Sequence, residues 1–345
     1  MSNHPSFRKV STLKALFLSI FFLTLLAACA PATPDLSGTS DTDFRIVTTV
    51  SPITSIVENI GGSKVTLHGL IPEGTNSHTY EPSPSTVTLI ADADLIIANG
   101  LFLEIPTLKL ADANKKDEAI ILRLGNEVIT EGEWIWDESF PESGGHPNPH
   151  LWTDPIMGIR YAEVVAKQLS ILDPENSPYY KKNLEAFRIR LNDLDARIKI
   201  AVTTIPPEKR KLLSYDDSFP TFAPRYGFET LGAIQPSDFT EPSAREVARL
   251  IDQIKEHDVH AIFGSEVFPS PILSQIAKES GAIFVDKLRD DDLPGEHGDP
   301  VHTYHGLIHY DVMIIIPALG GDSSSLKDFD TSPTFSEASQ AVYQK

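Results

Sequence analysis

The stretch PYYKKNLEAFRIRLNDLDARIKIAV, residues 178–202, lies near the middle of a chain of 345 residues. Leu184, Phe187, Leu191, Leu194 and Ile198 recur at intervals of three and four, the spacing of one apolar helical face. Glu185, Arg188, Arg190, Asp193, Asp195 and Arg197 fall between them and would face water. Pro174 stands near the start and Pro206-Pro207 follow the end, so the helix has natural bounds. At ~1.5 Å per residue it would be roughly 40 Å long, about the diameter of a small domain. An amphipathic stripe of this kind is ordinary by itself. Its flanks decide the fold.

On the N-terminal side, the strand-like run Ile46 to Val50 leads into Ser51-Pro52 and a helical stretch ending at Gly61-Gly62. On the C-terminal side, Leu212 to Tyr215 leads into Asp217-Ser218-Phe219 and a helical stretch ending at Gly227. Farther along, a helix over Val87–Asp94 runs into the apolar Leu95–Gly100, and a helix over Arg245–Asp258 runs into Val259–Gly264. Short apolar runs alternating with helices predict mostly parallel sheets covered on both faces. The expected fold is therefore α/β, with two such lobes joined by one long helix. The expected order is an N-terminal lobe over 44–172, the linking helix over 173–205, a C-terminal lobe over 206–325 and a tail over 326–345. Ligands of such sheets bind beyond the carboxyl ends of the strands, here in the cleft between lobes.

The N-terminus reads as an address. Arg8, Lys9 and Lys14 precede the apolar run Ala15–Leu26, followed by Leu26-Ala27-Ala28-Cys29. Basic, apolar and small-residue regions in this order make a secretory signal over 1–29, too short for a comfortable membrane span. Cys29 is the only cysteine, so no disulfide forms within one chain, and Leu-Ala-Ala-Cys resembles a lipobox. Lipidation at Cys29 is expected, followed by a flexible tether over 30–43 rich in Pro, Ser, Thr, Gly and Asp. The protein is then anchored to a bacterial membrane outside the cytoplasm. A formal net charge of −19 excludes nucleic acid as a natural partner and fits a protein that handles cations.

Four strand-end loops carry candidate ligands. His78 lies in Asn76-Ser77-His78-Thr79-Tyr80-Glu81-Pro82, after the strand-like Val65–Ile71. His150 lies in Pro147-Asn148-Pro149-His150-Leu151-Trp152-Thr153-Asp154-Pro155, ahead of a helix over Ile156–Leu172. Tyr215-Asp216-Asp217-Ser218-Phe219 ends the second lobe's first strand, where a carboxylate would alternatively cap the next helix. Asp290-Asp291-Asp292 follows a strand over Ala282–Val285, where three adjacent acids would ordinarily form a solvated loop. Each motif alone has an ordinary structural reading. Together, two imidazoles from one lobe and two carboxylates from the other describe a site for one divalent first-row metal ion.

On these residues the chain resembles the metal-binding solute-binding lipoproteins of zinc and manganese ABC transporters. The likeness rests on the lipobox, SHTYEPSPS, PHLWTDP, the long linking helix and the acidic C-terminal loop, and covers about Phe44–Leu319. The resemblance implies metal ligands at His78 and His150. It also implies a third eleven residues before the Gly of Tyr226-Gly227, which is Asp216, and a fourth ten residues after Gly281, which is Asp291. The family rarely has Asp at the third position, so Asp217 is its alternate, and Asp290 and Asp292 are alternates for the fourth. Two histidines with two aspartates resemble the manganese or iron branch, whereas three histidines resemble the zinc branch. Mn2+ is favoured as cargo and Zn2+ is next. The loop over 131–146 carries Glu131, Glu133, Asp137, Glu138 and Glu142 but only His146, where zinc members often hold many histidines.

The resemblance further implies a monomer that delivers the ion to a membrane permease with its ATPase subunit, without a chemical step. A secondary metal site is conceivable at His297, His302, His305 and His309, of which the last two stand one helical turn apart. A metal-dependent hydrolase is the rival reading, and Glu81 and Asp154 are the only spare carboxylates near the histidines. No HExxH, GxSxG or phosphate-cradling Gly-rich loop accompanies them. Surface adhesion is a further, secondary possibility that the residues do not address.

Overall fold

The computed structural model describes residues 44–344, apart from 138, 236–241, 268–270, 336 and 338. The signal segment, Cys29 and the tether lie outside the described residues. The first sheet has the order β4-β3-β1-β2-β9, all neighbours parallel. Its strands are β1 (Phe44–Thr48), β2 (Val65–Gly69), β3 (Leu95–Ala98), β4 (Ile120–Arg123) and β9 (Gln340–Val342). Ile46 and Val47 are both buried although they point to opposite faces. Both faces are covered, by α1 (Ser51–Gly61), α2 (Pro84–Asp92), α3 (Ile105–Asn114), α4 (Leu124–Val128) and α5 (Pro155–Leu172). Pro52 occupies the first turn of α1, where its missing N–H costs no helical bond.

The linking helix α6 runs over Ser177–Thr203, 27 residues, or roughly 40 Å at the usual rise. Tyr180, Phe187, Leu191, Leu194 and Ile198 form its buried stripe. One apolar core takes in this stripe together with Ile46 and Leu95 of the first sheet and Leu212 and Phe263 of the second. Because α6 packs against both lobes, it works as a strut rather than as a loose hinge.

The second sheet is also parallel, in the order β6-β5-β7-β8. It comprises β5 (Lys211–Ser214), β6 (Glu229–Ala233), β7 (Ala261–Ser265) and β8 (Ile283–Leu288), with α7 (Phe222–Tyr226), α8 (Ala244–Glu256) and α9 (Pro271–Ser280) between them. Helix α10 (Tyr304–Ala318) returns across the α6 side and packs on it. In both sheets the first strand has its successors on opposite sides. That reversal opens a crevice at the carboxyl ends. The loops of His78, Asp216 and Asp290–Asp292 follow β2, β5 and β8 directly, whereas His150 lies beyond α4, on the segment leading into α5.

One expectation is corrected. The last residues do not trail as a tail. They return to the first lobe, where β9 pairs with β2 through Thr66–Gln340, Leu67–Ala341 and His68–Val342. Tyr343 is buried behind this strand, and its hydroxyl bonds Glu58 of α1 at 2.8 Å.

Candidate metal centre

His78 sits on the loop after β2. The Asn76 side chain accepts the His78 backbone N–H at 2.8 Å, a turn that needs a short amide at this place. His150 is held between Pro149 and a single 3-10 turn, Leu151–Thr153, and is 1% exposed. Asp216 follows β5 and is likewise buried. His78, His150 and Asp216 each offer a ligand atom, and these atoms lie within 4.8 Å of one another. The two Nε2 atoms are 3.1 Å apart. A shared tetrahedral ion with bonds of ~2.0–2.1 Å would set that edge at about 3.3 Å.

Burial pushes the His78 imidazole down to about 3, and burial with the nearby His78 ring holds His150 well below its ordinary value. Both rings are thus neutral at physiological pH, the state in which imidazole donates a lone pair to a metal. Burial, then the charges of Asp290, Asp291 and Asp217, push Asp216 well above the usual carboxylate range. Glu266, at the end of β7, is raised in the same way by burial, Asp290 and Asp292. Several carboxylates share one water-poor site, and they cannot all ionise without a cation.

The three consecutive aspartates are buried rather than solvated, and each faces a different partner. Asp290 accepts from the hydroxyls of Ser218 and Ser265, so it ties loops of its own lobe. Asp291 accepts from Ser77 N and Ser77 Oγ, both at 2.9 Å, one residue before His78. Asp292 accepts from Gly74 N at 2.6 Å. Asp291 and Asp292 therefore reach across the cleft and grip the loop that carries His78. Asp291 is not one of the three mutually close ligand atoms. Asp217 is buried beside Asp216, and its backbone oxygen accepts from Asn148 Nδ2 at 2.6 Å.

The acidic loop over 131–146 is in part a cover over the histidines. Phe140 places its ring 5.7 Å from His78 and 5.8 Å from His150. His146 stacks on Phe102 at 4.5 Å, on the wall of a pocket of about 480 Å³ that also opens onto His78. Leu101 and Phe102 hold φ of 50° and 67° beside this pocket, conformations that side chains other than glycine rarely adopt.

The histidines at 297–309 do not form a clamp. His305 and His309 hydrogen-bond through Nε2 to the carbonyls of Ser332 and Leu326, at 2.8 and 2.9 Å. His302 lies 3.5 Å from Glu73 and packs on Tyr343, and His297 is exposed beside it. Among the described residues, only His78, His150 and Asp216 form a group of three metal-competent ligand atoms.

Neither spare carboxylate suits a general base. Asp154 Oδ1 caps α5 through Ile156 N, and Asp154 Oδ2 binds Arg225 Nε, both at 2.8 Å. Glu81 is exposed. Sequence reading passed over the supporting residues. Asn148 contacts His150, and Glu104 accepts from Thr49 Oγ1, Asn99 N and Gly100 N while Asn99 Nδ2 donates to Pro149 O. A buried Glu with three donors stiffens the strand-end layer beneath Pro149-His150.

The family model described as zinc-uptake complex component A, periplasmic (ZnuA), matches residues 46–317. The manganese ABC transporter substrate-binding lipoprotein PsaA of Streptococcus pneumoniae is 30% identical over 322 residues, 90% of this chain and 99% of its own. The iron-binding protein YfeA of Yersinia pestis is 30% identical over 308 residues, 89% of this chain and 96% of its own. Among solved structures, the periplasmic zinc binding protein TroA from Treponema pallidum superposes with a TM-score of 0.73 at 25% identity, covering 80% of this chain and 99% of its own. The Mn-bound periplasmic metal binding protein from Candidatus Liberibacter asiaticus has a TM-score of 0.69 at 26% identity over the same shares. With the match running from β1 to the end of α10 and the paired parallel sheets in place, the chain belongs to the ZnuA family of periplasmic uptake-complex components.

Proposed function

We propose that this chain is an extracytoplasmic solute-binding protein that captures one divalent transition-metal ion and hands it to an ABC permease served by an ATPase subunit. Mn2+ is the favoured cargo and Zn2+ the next. The observation that carries the reading is the meeting of two neutral imidazoles, one half-buried and one buried, with a buried carboxylate, all within 4.8 Å. His78, His150 and Asp216 are the proposed ligands from the two lobes, and Asp291 is the proposed fourth. Asp290, Asp291 and Asp292 all accept hydrogen bonds that hold loops. Asp291, bonded to Ser77 beside His78, is kept as the fourth ligand on the family spacing, while Asp217 presents its backbone oxygen to Asn148. A donor set of two nitrogens with carboxylate oxygens accepts Mn2+ without the sulfur that would select softer ions, although intrinsic affinity ranks Zn2+ higher.

The relatives named as lipoproteins support a lipid anchor at Cys29 and a place outside the cytoplasm. Capture needs no chemical step. Ion binding relieves the repulsion among Asp216, Asp290, Asp291 and Glu266, and the ligands give up protons as they ionise. The test is metal analysis of protein from its native host, joined to titration of chelator-stripped protein with Mn2+ and Zn2+. One tightly held ion per chain, lost in H78A and D216N with the fold intact, is expected. Wild-type affinity in both variants refutes the site.

A further inference from the structure

We propose that Asn148 is a positioning residue that sets the tautomer of His150 and couples it to the contact between the two lobes. Asn148 is fully buried, and all four of its side-chain hydrogen-bonding places are used. Its Oδ1 accepts from the His150 backbone N–H at 3.0 Å and from His150 Nδ1 at 2.8 Å. Its Nδ2 donates to Asp217 O at 2.6 Å and to Asp137 Oδ2 at 2.7 Å. The orientation of the amide follows from its partners. A backbone N–H only donates and a backbone carbonyl only accepts, so the oxygen faces His150 and the nitrogen faces Asp217. His150 Nδ1 must then carry the proton, which leaves the Nε2 lone pair toward His78 and Asp216.

The second half of the bond set gives the residue its further role. Asp217 adjoins Asp216 in sequence, so one amide joins a proposed ligand of the first lobe to the backbone beside a proposed ligand of the second. The third arm reaches the cover. Asp137 Oδ1 accepts from Phe140 N at 2.8 Å, and the Phe140 ring packs on both imidazoles. When a cation draws on Nε2, the Nδ1–H becomes a stronger donor to Asn148. An amide polarised at its oxygen is in turn a stronger donor at its nitrogen. Loading therefore tightens the bond to Asp217, and emptying the site slackens it. This is a route by which the loop over 215–219 differs between loaded and empty protein.

The inference rests on His150 being a metal ligand, and the experiment separates the two claims. Full-length N148A, N148D and the swapped pair D137N/N148D are compared with wild type and H150A. The readouts are Mn2+ titration, 15N signals of the His150 ring in metal-free protein, and hydrogen exchange of the loop over 215–219 with and without Mn2+. N148D keeps both acceptors for His150 but has no donor for Asp217. It should retain the tautomer and Mn2+ affinity within about tenfold, and lose the Mn2+-dependent protection of the loop. D137N/N148D restores the bond to the cover and should show the same loss. N148A should weaken Mn2+ binding by roughly 10–100-fold, as for groups that orient metal-bound histidines, and release the tautomer. Wild-type tautomer and affinity in N148A, or wild-type Mn2+-dependent protection in N148D, overturns the proposal. If H150A binds Mn2+ like wild type, the metal-site reading fails, and the metal-free tautomer in N148A and N148D still decides whether Asn148 positions the ring.

Discussion

Asp154 tests whether the carboxylate nearest the histidine motif is structural. It makes two bonds of different kinds. Its Oδ1 caps α5 through Ile156 N, a contribution of about 1 kcal/mol. Its Oδ2 accepts a charge-assisted bond from Arg225 Nε at 2.8 Å, a class of bond that contributes about 1.5–3 kcal/mol. Arg225 is 28% exposed and keeps Asp195 at 3.8 Å, so its guanidinium regains water and a partner when Asp154 is cut away, which favours the lower end. Asp154→Ala should therefore lower unfolding free energy by about 3 kcal/mol. Asp154→Asn, which keeps the capping oxygen but not the charge, should lower it by about 1.5–2 kcal/mol. Guanidinium titration of the three proteins measures both. Neither variant should change Mn2+ affinity once folded, because the carboxylate points at α5 and Arg225 rather than at His150. The reasoning fails if both variants unfold within about 0.5 kcal/mol of wild type. It also fails if Asp154→Ala folds normally and loses the metal, which would return Asp154 to the site as the hydrolase reading requires.

Three further outcomes are expected. Saturating Mn2+ at a thousand times its dissociation constant should stabilise the native protein by about 4 kcal/mol, and the accompanying rise in Tm should vanish in D216N; an unchanged rise in that variant speaks against Asp216 as a ligand. Gly158→Ala would bring a methyl group to 2.2 Å from Tyr304 Oη, which bonds Trp152 O at 2.6 Å, and overpacking here should cost about 1–3 kcal/mol; a denaturant midpoint equal to wild type would contradict this. Burial pushes the His305 imidazole down to about 4 against an unfolded value near 6.5. A depressed imidazole contributes stability above pH ~6.5 and loses it as pH falls toward ~4, up to about 3 kcal/mol. Calorimetric scans across that window should show a steeper acid loss in wild type than in His305→Gln, and equal slopes would refute it.

The parts of this fold that repeat locally were legible in the chain. The stripe Leu184, Phe187, Leu191, Leu194 and Ile198 announces α6, and four of its five members are fully buried. His78 and His150 stood out because prolines and a Trp stiffen their surroundings. Strand β9 was not legible: its three residues gain strand character only by pairing with β2, more than 270 positions earlier, and no local pattern encodes that partner. The same limit misled the reading of His305 and His309. Their i,i+4 spacing suits a clamp, but their Nε2 atoms are taken by carbonyls of the segment that precedes β9.

The run Asp290-Asp291-Asp292 shows why the acidic half of the site resists reading from sequence. Three like charges in a row look like a solvated loop, since side-chain identity carries no record of direction. In the fold they diverge to Ser218 and Ser265, to Ser77, and to Gly74, so every one has its own donors. That divergence accounts for buried carboxylates at a density a single hydrophobic cleft would not tolerate. The bonds of Asp290 only partly offset its burial, and those of Asp291 and Asp292 grip the loop of His78. Asp216, Asp291 and Glu266 all stay well above the usual carboxylate range, and among them Asp216 is the one that faces both imidazoles. Its burial and its acidic neighbours raise it, and the hydrogen bond from the Asp217 backbone only partly lowers it. The two neutral imidazoles facing it offer lone pairs rather than charge. A divalent cation at the proposed site would satisfy all three at once.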